Sequence, residues 1–430
     1  MSNWDLLDLQ EWDEKICEIA QKHNLDWYPI TYETCDYYEM IGNMSYHGMP
    51  THYGHWSYGK SFEIQRSQYN AGATGLPYEL IINSDPCISY LMRENPLYLQ
   101  ILIMAHCVGH SDFFKKNRHF MYTRADTVVP RMRNAKKRIQ KYIENPAIGI
   151  EKVENYIDAC HAVSYQVPRH PVDYQDLAEE YKKYSDARLD QKDFDPTLIP
   201  PYPEHDLLGF IEAHGENQED WQKDIISIVR DSAYYFMPQI RTKTMNEGWA
   251  CMWHYKILHE LNLPQEFHIP FLKSHNQVVR PHIGRINPYH LGFHLFNKIE
   301  ERYGLEECFL AREVHNDESF IRQYLTREDC EELNLFSFSP ADDNYIIDDV
   351  SDEEGWESVK TRLLKQIGGN SIPSIYVESI DLGHILILHH EHDGRDIQIE
   401  HANQVVQHCK HLWGSEVKLI TMVDNAPYEI

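Results

Sequence analysis

The run LYLQILIMAHCVGH, residues 97–110, is apolar on nearly every side yet carries two histidines four positions apart. A helix that is hydrophobic all round must be covered on most sides, so this segment marks the core around which the chain is arranged. The helix is expected over 96–117, with Pro96 in its first turn. His106 and His110 then share one face, and their ring nitrogens can converge on one ion, as neutral imidazoles do in many zinc sites. The spacing fits two hydrogen-bonded core histidines as well, and His290/His294 repeats it.

Composition narrows the function classes. The 430 residues include 40 Lys+Arg against 67 Asp+Glu, a formal charge of −27, which argues against a general nucleic-acid or anionic-membrane binder. A hydrophobic fraction of 42% beside 25% charged residues is that of a folded chain. No apolar run is long enough to span a membrane, and the acidic, amphipathic start lacks the layout of a signal peptide. Nine scattered cysteines form no CxxC pair, so neither a disulfide framework nor a structural zinc cage is expected. The reading is a cytoplasmic protein with reduced thiols.

The periodicity predicts an amphipathic helix over 4–23, loops and short strands over 28–75, and a strand at 78–83, YELIIN. Helices follow at about 150–165, 218–236, 244–262 and from Pro288 to Tyr303, with a proline-rich connection over 166–205. Three regions are expected: a mainly helical domain with a short edge sheet (1–337), an acidic linker (338–358), and a small α+β domain (359–430). In that last domain SIYVESIDL, HILILHHEH, DIQIEH and EVKLITMV read as strands and 401–412 as a helix. The fold class is α+β.

Two further features raise the prospect of a metal. Glu247, in NEGWA, opens another helix; alone it would be a helix-end carboxylate, but beside the histidine pair it is a candidate third ligand. His254 lies two turns further on the same face, about 10 Å along the axis, which suits a substrate-facing or supporting role. Glu151, Glu154, Asp158 and His161 form one polar stripe on the 150–165 helix. Asp158 and His161 could orient a liganding imidazole or join a second metal; a solvated acidic face is the alternative.

The strings HCVGHSDFFKKN (106–117), IDACHAV (157–163) and MNEGWACMWHY (245–255) resemble the SpoVR family of stage V sporulation proteins. The N-terminal WDLLDLQEWDEKICEIAQKHNLDWYPI, THYGHWSYGKSFE and YELIINSDP resemble it too, so the likeness runs along essentially the whole chain. That resemblance implies a role in forming the spore cortex, although relatives also occur in bacteria that do not sporulate. More distantly, a strand, HxxGH on a buried helix and EGWA on a later helix are similar to the gluzincin metallopeptidases. The likeness implies a zincin-like first domain with His106, His110 and Glu247 as ligands of a divalent metal, zinc foremost. The departure is at position 107, where HExxH would place the general-base Glu and this chain has Cys107.

Candidate replacements for that base are Glu79 on the edge strand, His254, and Asp112, which points to another face of its helix. Cys107 reads as a small core residue, with a thiolate role as the alternative. His52, His55 and Lys60, in a Gly/Tyr-rich segment, are candidates for substrate binding. The basic cluster Arg131, Arg133, Lys136, Lys137, Arg138 and Lys141 reads as a solvated helix face, and His384, His389, His390 and His392 match no closed ligand pattern. Three readings result. The first is a metal-dependent hydrolase or acyl-transfer enzyme acting on an amide bond of a peptide or peptidoglycan-related substrate. The others are a non-catalytic assembly protein, with partners reached through the C-terminal domain, and a helical di-metal oxidative enzyme.

Overall fold

The computed structural model describes residues 4–71, 79–169, 199–201, 203–282, 285–341 and 344–430. Sixteen α-helices against nine short strands among them make the chain mainly helical α+β. Most of the 166–205 connection lies outside the described residues. The chain divides into two compact units, each built from separate stretches of sequence.

The first unit comprises Met1–His52, Ser57–Met132 and Pro238–Ser371. Its centre is the helix Leu97–Lys116, in which every residue from Gln100 to Phe114 is buried. The helix Lys243–Glu260 runs antiparallel beside it: Gly109 faces Ala250 so closely that an added Cβ would lie 2.7 Å from the Ala250 Cα. On its other side that helix meets Pro288–Tyr303, where a Cβ on Gly248 would lie 2.4 Å from the Gly292 Cα. Glycines at both crossings let the three backbones approach to a separation no side chain would allow.

A three-stranded sheet lies against the same central helix. Ile30–Cys35 pairs in parallel with Cys87–Met92, and Leu80–Ile82 pairs antiparallel on the other side as an edge strand. Ser89 and Cys87 on the middle strand contact Cys107 and Ser111 across 3.2 and 3.4 Å, which fixes the sheet to one face of the helix. Between these strands, where loops were expected, stand the helices Tyr37–Ser45 and Trp56–Asn70. The first begins with a reciprocal cap between Asp36 and Glu39. The second buries no residue fully, so it leaves no apolar period in the sequence.

The acidic stretch 338–358 is built into the same unit. Phe336–Ala341 and Asn344–Val350 form an antiparallel pair, and Trp356–Leu364 is a helix held to it by Arg362, which donates to the Phe338 carbonyl.

The second unit comprises Tyr53–Trp56, Arg133–Met237 and Ile372–Ile430. Its four-stranded sheet runs Ile375–Asp381, Ile385–His390, Val417–Val423, Ala426–Glu429 in spatial order. The two middle strands are parallel and joined by the helix Ile399–Trp413, a βαβ crossover. DIQIEH is not a strand: its last residues already belong to this helix, which starts at Ile399. Asp396 instead accepts from His392 and from the Asp424 amide, tying the segment down without a ladder. The helix Gly149–Val163 packs on the crossover helix, with Tyr156 edge-on to His411.

Candidate metal centre

The glycine crossings bring four ligand groups together. Side-chain atoms of Glu79, His106, His110 and Glu247 all lie within 4.8 Å of one another, three of them from the two antiparallel helices and Glu79 from the start of the edge strand. His110 Nε2 is 3.3 Å from Glu247 Oε2, and His106 Nε2 is 3.7 Å from the same oxygen and 3.6 Å from Glu79 Oε1. His106 Nε2 and Glu247 Oε2 are buried and have no hydrogen-bond partner. Two orphaned lone-pair atoms aimed at one spot are costly unless something positive or hydrogen-bonding sits between them. A cation with nitrogen and oxygen ligands fits that donor set.

The electrostatics couple the Glu247 carboxylate to both imidazoles. Burial alone would raise the Glu247 carboxyl, but the His106 and His110 imidazoles outweigh it and hold the group well below the usual carboxylate range. Burial would lower His110, and Glu247 more than offsets this, so its pKa is raised.

Around these four stands a shell of partners, of which sequence spacing pointed only to His254. Asn246 Oδ1 accepts from His110 Nδ1 at 2.8 Å, which leaves Nε2 for the cluster. The Tyr289 hydroxyl donates to Glu79 Oε1 at 3.4 Å, and burial, then Glu247 and Glu79, push its own pKa well up. His254 reaches the site from behind. Its Nδ1 is 2.8 Å from His106 Nδ1, and its Nε2 is 2.8 Å from His275 Nδ1. Two turns separate His254 from Glu247 on their own helix, but the antiparallel neighbour carries His106 back by a turn to meet it. Burial, followed by neighbouring imidazoles, drives His254 well below the ordinary histidine range and His275 to about 4. Cys251 closes a second group with His106 and His254, and burial pushes its thiol well up.

The remaining sequence candidates lie elsewhere. Asp112 accepts from Trp249 Nε1, Arg312 and the Asp26 amide, and belongs to neither ligand group. Burial, against Arg312, raises its carboxyl to about 6. Cys107 is fully buried against Ser89, and burial raises its thiol far above the ordinary value. Asp158 and His161 belong to the second unit. There Asp158 accepts from Trp56 Nε1 at 3.0 Å and faces His55 Nε2 at 3.3 Å, while His161 Nε2 meets the Tyr53 hydroxyl at 2.8 Å. His52 is buried edge-on to Tyr58 in the first unit, and Lys60 is exposed on the helix Trp56–Asn70. Of the C-terminal histidines, His384 stacks on Trp413, His389 on Tyr376, and His390 Nδ1 lies 2.9 Å from Thr421 Oγ1.

Among the described residues no helix is long and apolar enough to cross a membrane. Residues 3–372 match a family model described as "SpoVR like protein", and residues 373–424 match one described as "SpoVR-like C-terminal domain". The chain is similar to a protein of Escherichia coli (strain K12) named "Uncharacterized protein YcgB". The two are 33% identical over 482 residues, covering 99% of this chain and 94% of that protein. No solved structure matches the chain.

Proposed function

The chain belongs to the SpoVR family, and from that premise we propose that it is a metal-dependent hydrolase or acyl-transfer enzyme acting on an amide bond. Membership connects it with sporulation. Its substrate in this reading is a peptide or a peptidoglycan-related molecule, handled in the cytoplasm as part of cortex formation. His106, His110 and Glu247 hold a divalent metal, zinc foremost, in a zincin-like domain.

One observation carries the reading: the buried, unpartnered His106 Nε2 and Glu247 Oε2 converge with Glu79 and His110 on one point. A divalent cation held there supplies Lewis-acid polarisation of a carbonyl oxygen. The chain supplies the rest. Asn246 holds the His110 ring in the orientation that turns Nε2 inward. Glu79, at the edge of the cluster, takes the base role that Cys107 cannot fill, and Tyr289 steadies its carboxylate through the 3.4 Å hydrogen bond.

The test is the zinc content of the purified full chain. The wild type is expected to hold one zinc, and His106→Ala and Glu247→Ala to lose it while retaining the helical circular dichroism of the wild type. Stoichiometric metal in both variants overturns the ligand assignment; two iron or manganese ions in the wild type point to a di-metal centre instead. The second reading, a non-catalytic assembly protein on the same scaffold, is favoured by Cys107, which stands sealed against Ser89 where a general-base Glu would be expected. A wild type without metal supports it.

A further inference from the structure

His254 and His275 are not ligands in the proposed centre, yet they form a continuous line of imidazoles behind it. His106 Nδ1 faces His254 Nδ1 at 2.8 Å, and His254 Nε2 faces His275 Nδ1 at 2.8 Å. Two ring nitrogens at that distance share one proton: two lone pairs would repel and two N–H groups would collide. His254 is fully buried with an imidazole at each end and, among the described residues, no carboxylate paired with it, so the ring is neutral and carries one proton.

With all three rings neutral, two proton arrangements satisfy the line. In one, His106 Nδ1–H donates to His254 and His254 Nε2–H donates to His275, leaving a lone pair on His106 Nε2. In the other, every donor is reversed and His106 Nε2 carries a proton into the cluster. A metal ligand requires the first.

We infer that His254 and His275 are positioning residues for the centre, a one-way line of donors and acceptors that fixes His106 with its Nε2 lone pair turned toward the metal. The inference rests on the proposed metal site and extends it to residues that touch neither metal nor substrate. What matters at position 254 is an acceptor where Nδ1 stands. Asn puts a carbonyl oxygen there; Leu has nearly the same branched outline without one.

The experiment is Zn2+ affinity of the purified full chain, measured by chelator competition, for wild type, His254→Asn and His254→Leu. His254→Leu is expected to bind Zn2+ roughly 10–100-fold more weakly, and His254→Asn to stay close to wild type. The same pair of substitutions at His275 is expected to show a smaller loss in the same direction, and serves should His254→Leu fail to fold. Equal affinities for the Asn and Leu variants at both positions, with zinc bound by the wild type, overturn this inference alone. No zinc in the wild type overturns it together with the metal site.

Discussion

At the scale of single residues, the centre separates groups that face the cluster from groups that only fill space beside it. Cys107 belongs to the second kind: it is sealed, bonded to Ser89, and its thiol is held protonated. Cys107→Ala is therefore expected to keep both fold and zinc at a cost of about 1 kcal/mol, checked by thermal unfolding and metal content. Loss of function with metal retained would show that the thiol has a chemical part. The grouping of His106, His110 and Glu247 was legible in the sequence, because His106/His110 is a spacing along one helix and Glu247 opens another. Tyr289 and His275 were not, since their nearness to the cluster depends on how helices cross, and Asn246, although next to Glu247, meets His110 only through that crossing. Asp112 shows the opposite failing: close in sequence to His110, it is turned away and engaged by Arg312 and Trp249.

At the scale of elements, helix ends and crossings hold the arrangement. The amides of Thr244 and Met245, at the start of the Glu247 helix, both donate to Asp317, each at 2.9 Å. Asp317→Ala orphans two buried donors and is expected to cost about 3 kcal/mol, read from denaturant unfolding. Gly248→Ala would force a methyl into the Gly292 backbone, so a loss of about 1–3 kcal/mol together with weaker zinc binding is expected; an unchanged midpoint would mean the helices part freely.

A third junction involves Asp329, which accepts from Arg302, His294 and the Thr326 amide. Burial would raise this carboxyl, but His294, Arg302 and the Thr326 cap outweigh it, and its pKa lies well below the ordinary value. Its stabilising contribution is thus complete above about pH 4, the unfolded value, and lost as the pH falls from there toward the depressed one. Asp329→Asn is expected to flatten the acid limb of a Tm–pH curve, whereas an acid limb identical to the wild type would contradict this. The helix Tyr37–Ser45 shows that an element can be legible and still be passed over, for the D-x-x-E cap was in the sequence without a long apolar period to support it.

At the scale of the molecule, sequence order and spatial grouping differ. The family models meet at residues 372 and 373, yet the second unit joins residues from both sides of that point. Trp413 packs on Phe210, the Trp413 carbonyl accepts from the Glu216 amide, and Glu204 bridges to Val377 in the sheet. Truncation after 372 is therefore expected to yield an aggregation-prone chain with a lower Tm, because Phe210 and Tyr156 lose Trp413 and His411, which pack on them. A soluble 1–372 fragment melting with the wild type would refute it. The change in composition near 338–358 was visible in the sequence, but composition alone does not say that a hairpin and a helix are built there.

The contact of Gly109 with Ala250 bears on the proposed metal site, because the two helices that meet there carry His106, His110 and Glu247. Helices already touching backbone to backbone cannot close further around a guest of smaller radius. On the proposed reading, packing therefore sets a lower limit to the aperture framed by the two imidazoles and the carboxylates, and discrimination against smaller cations of like charge falls to size.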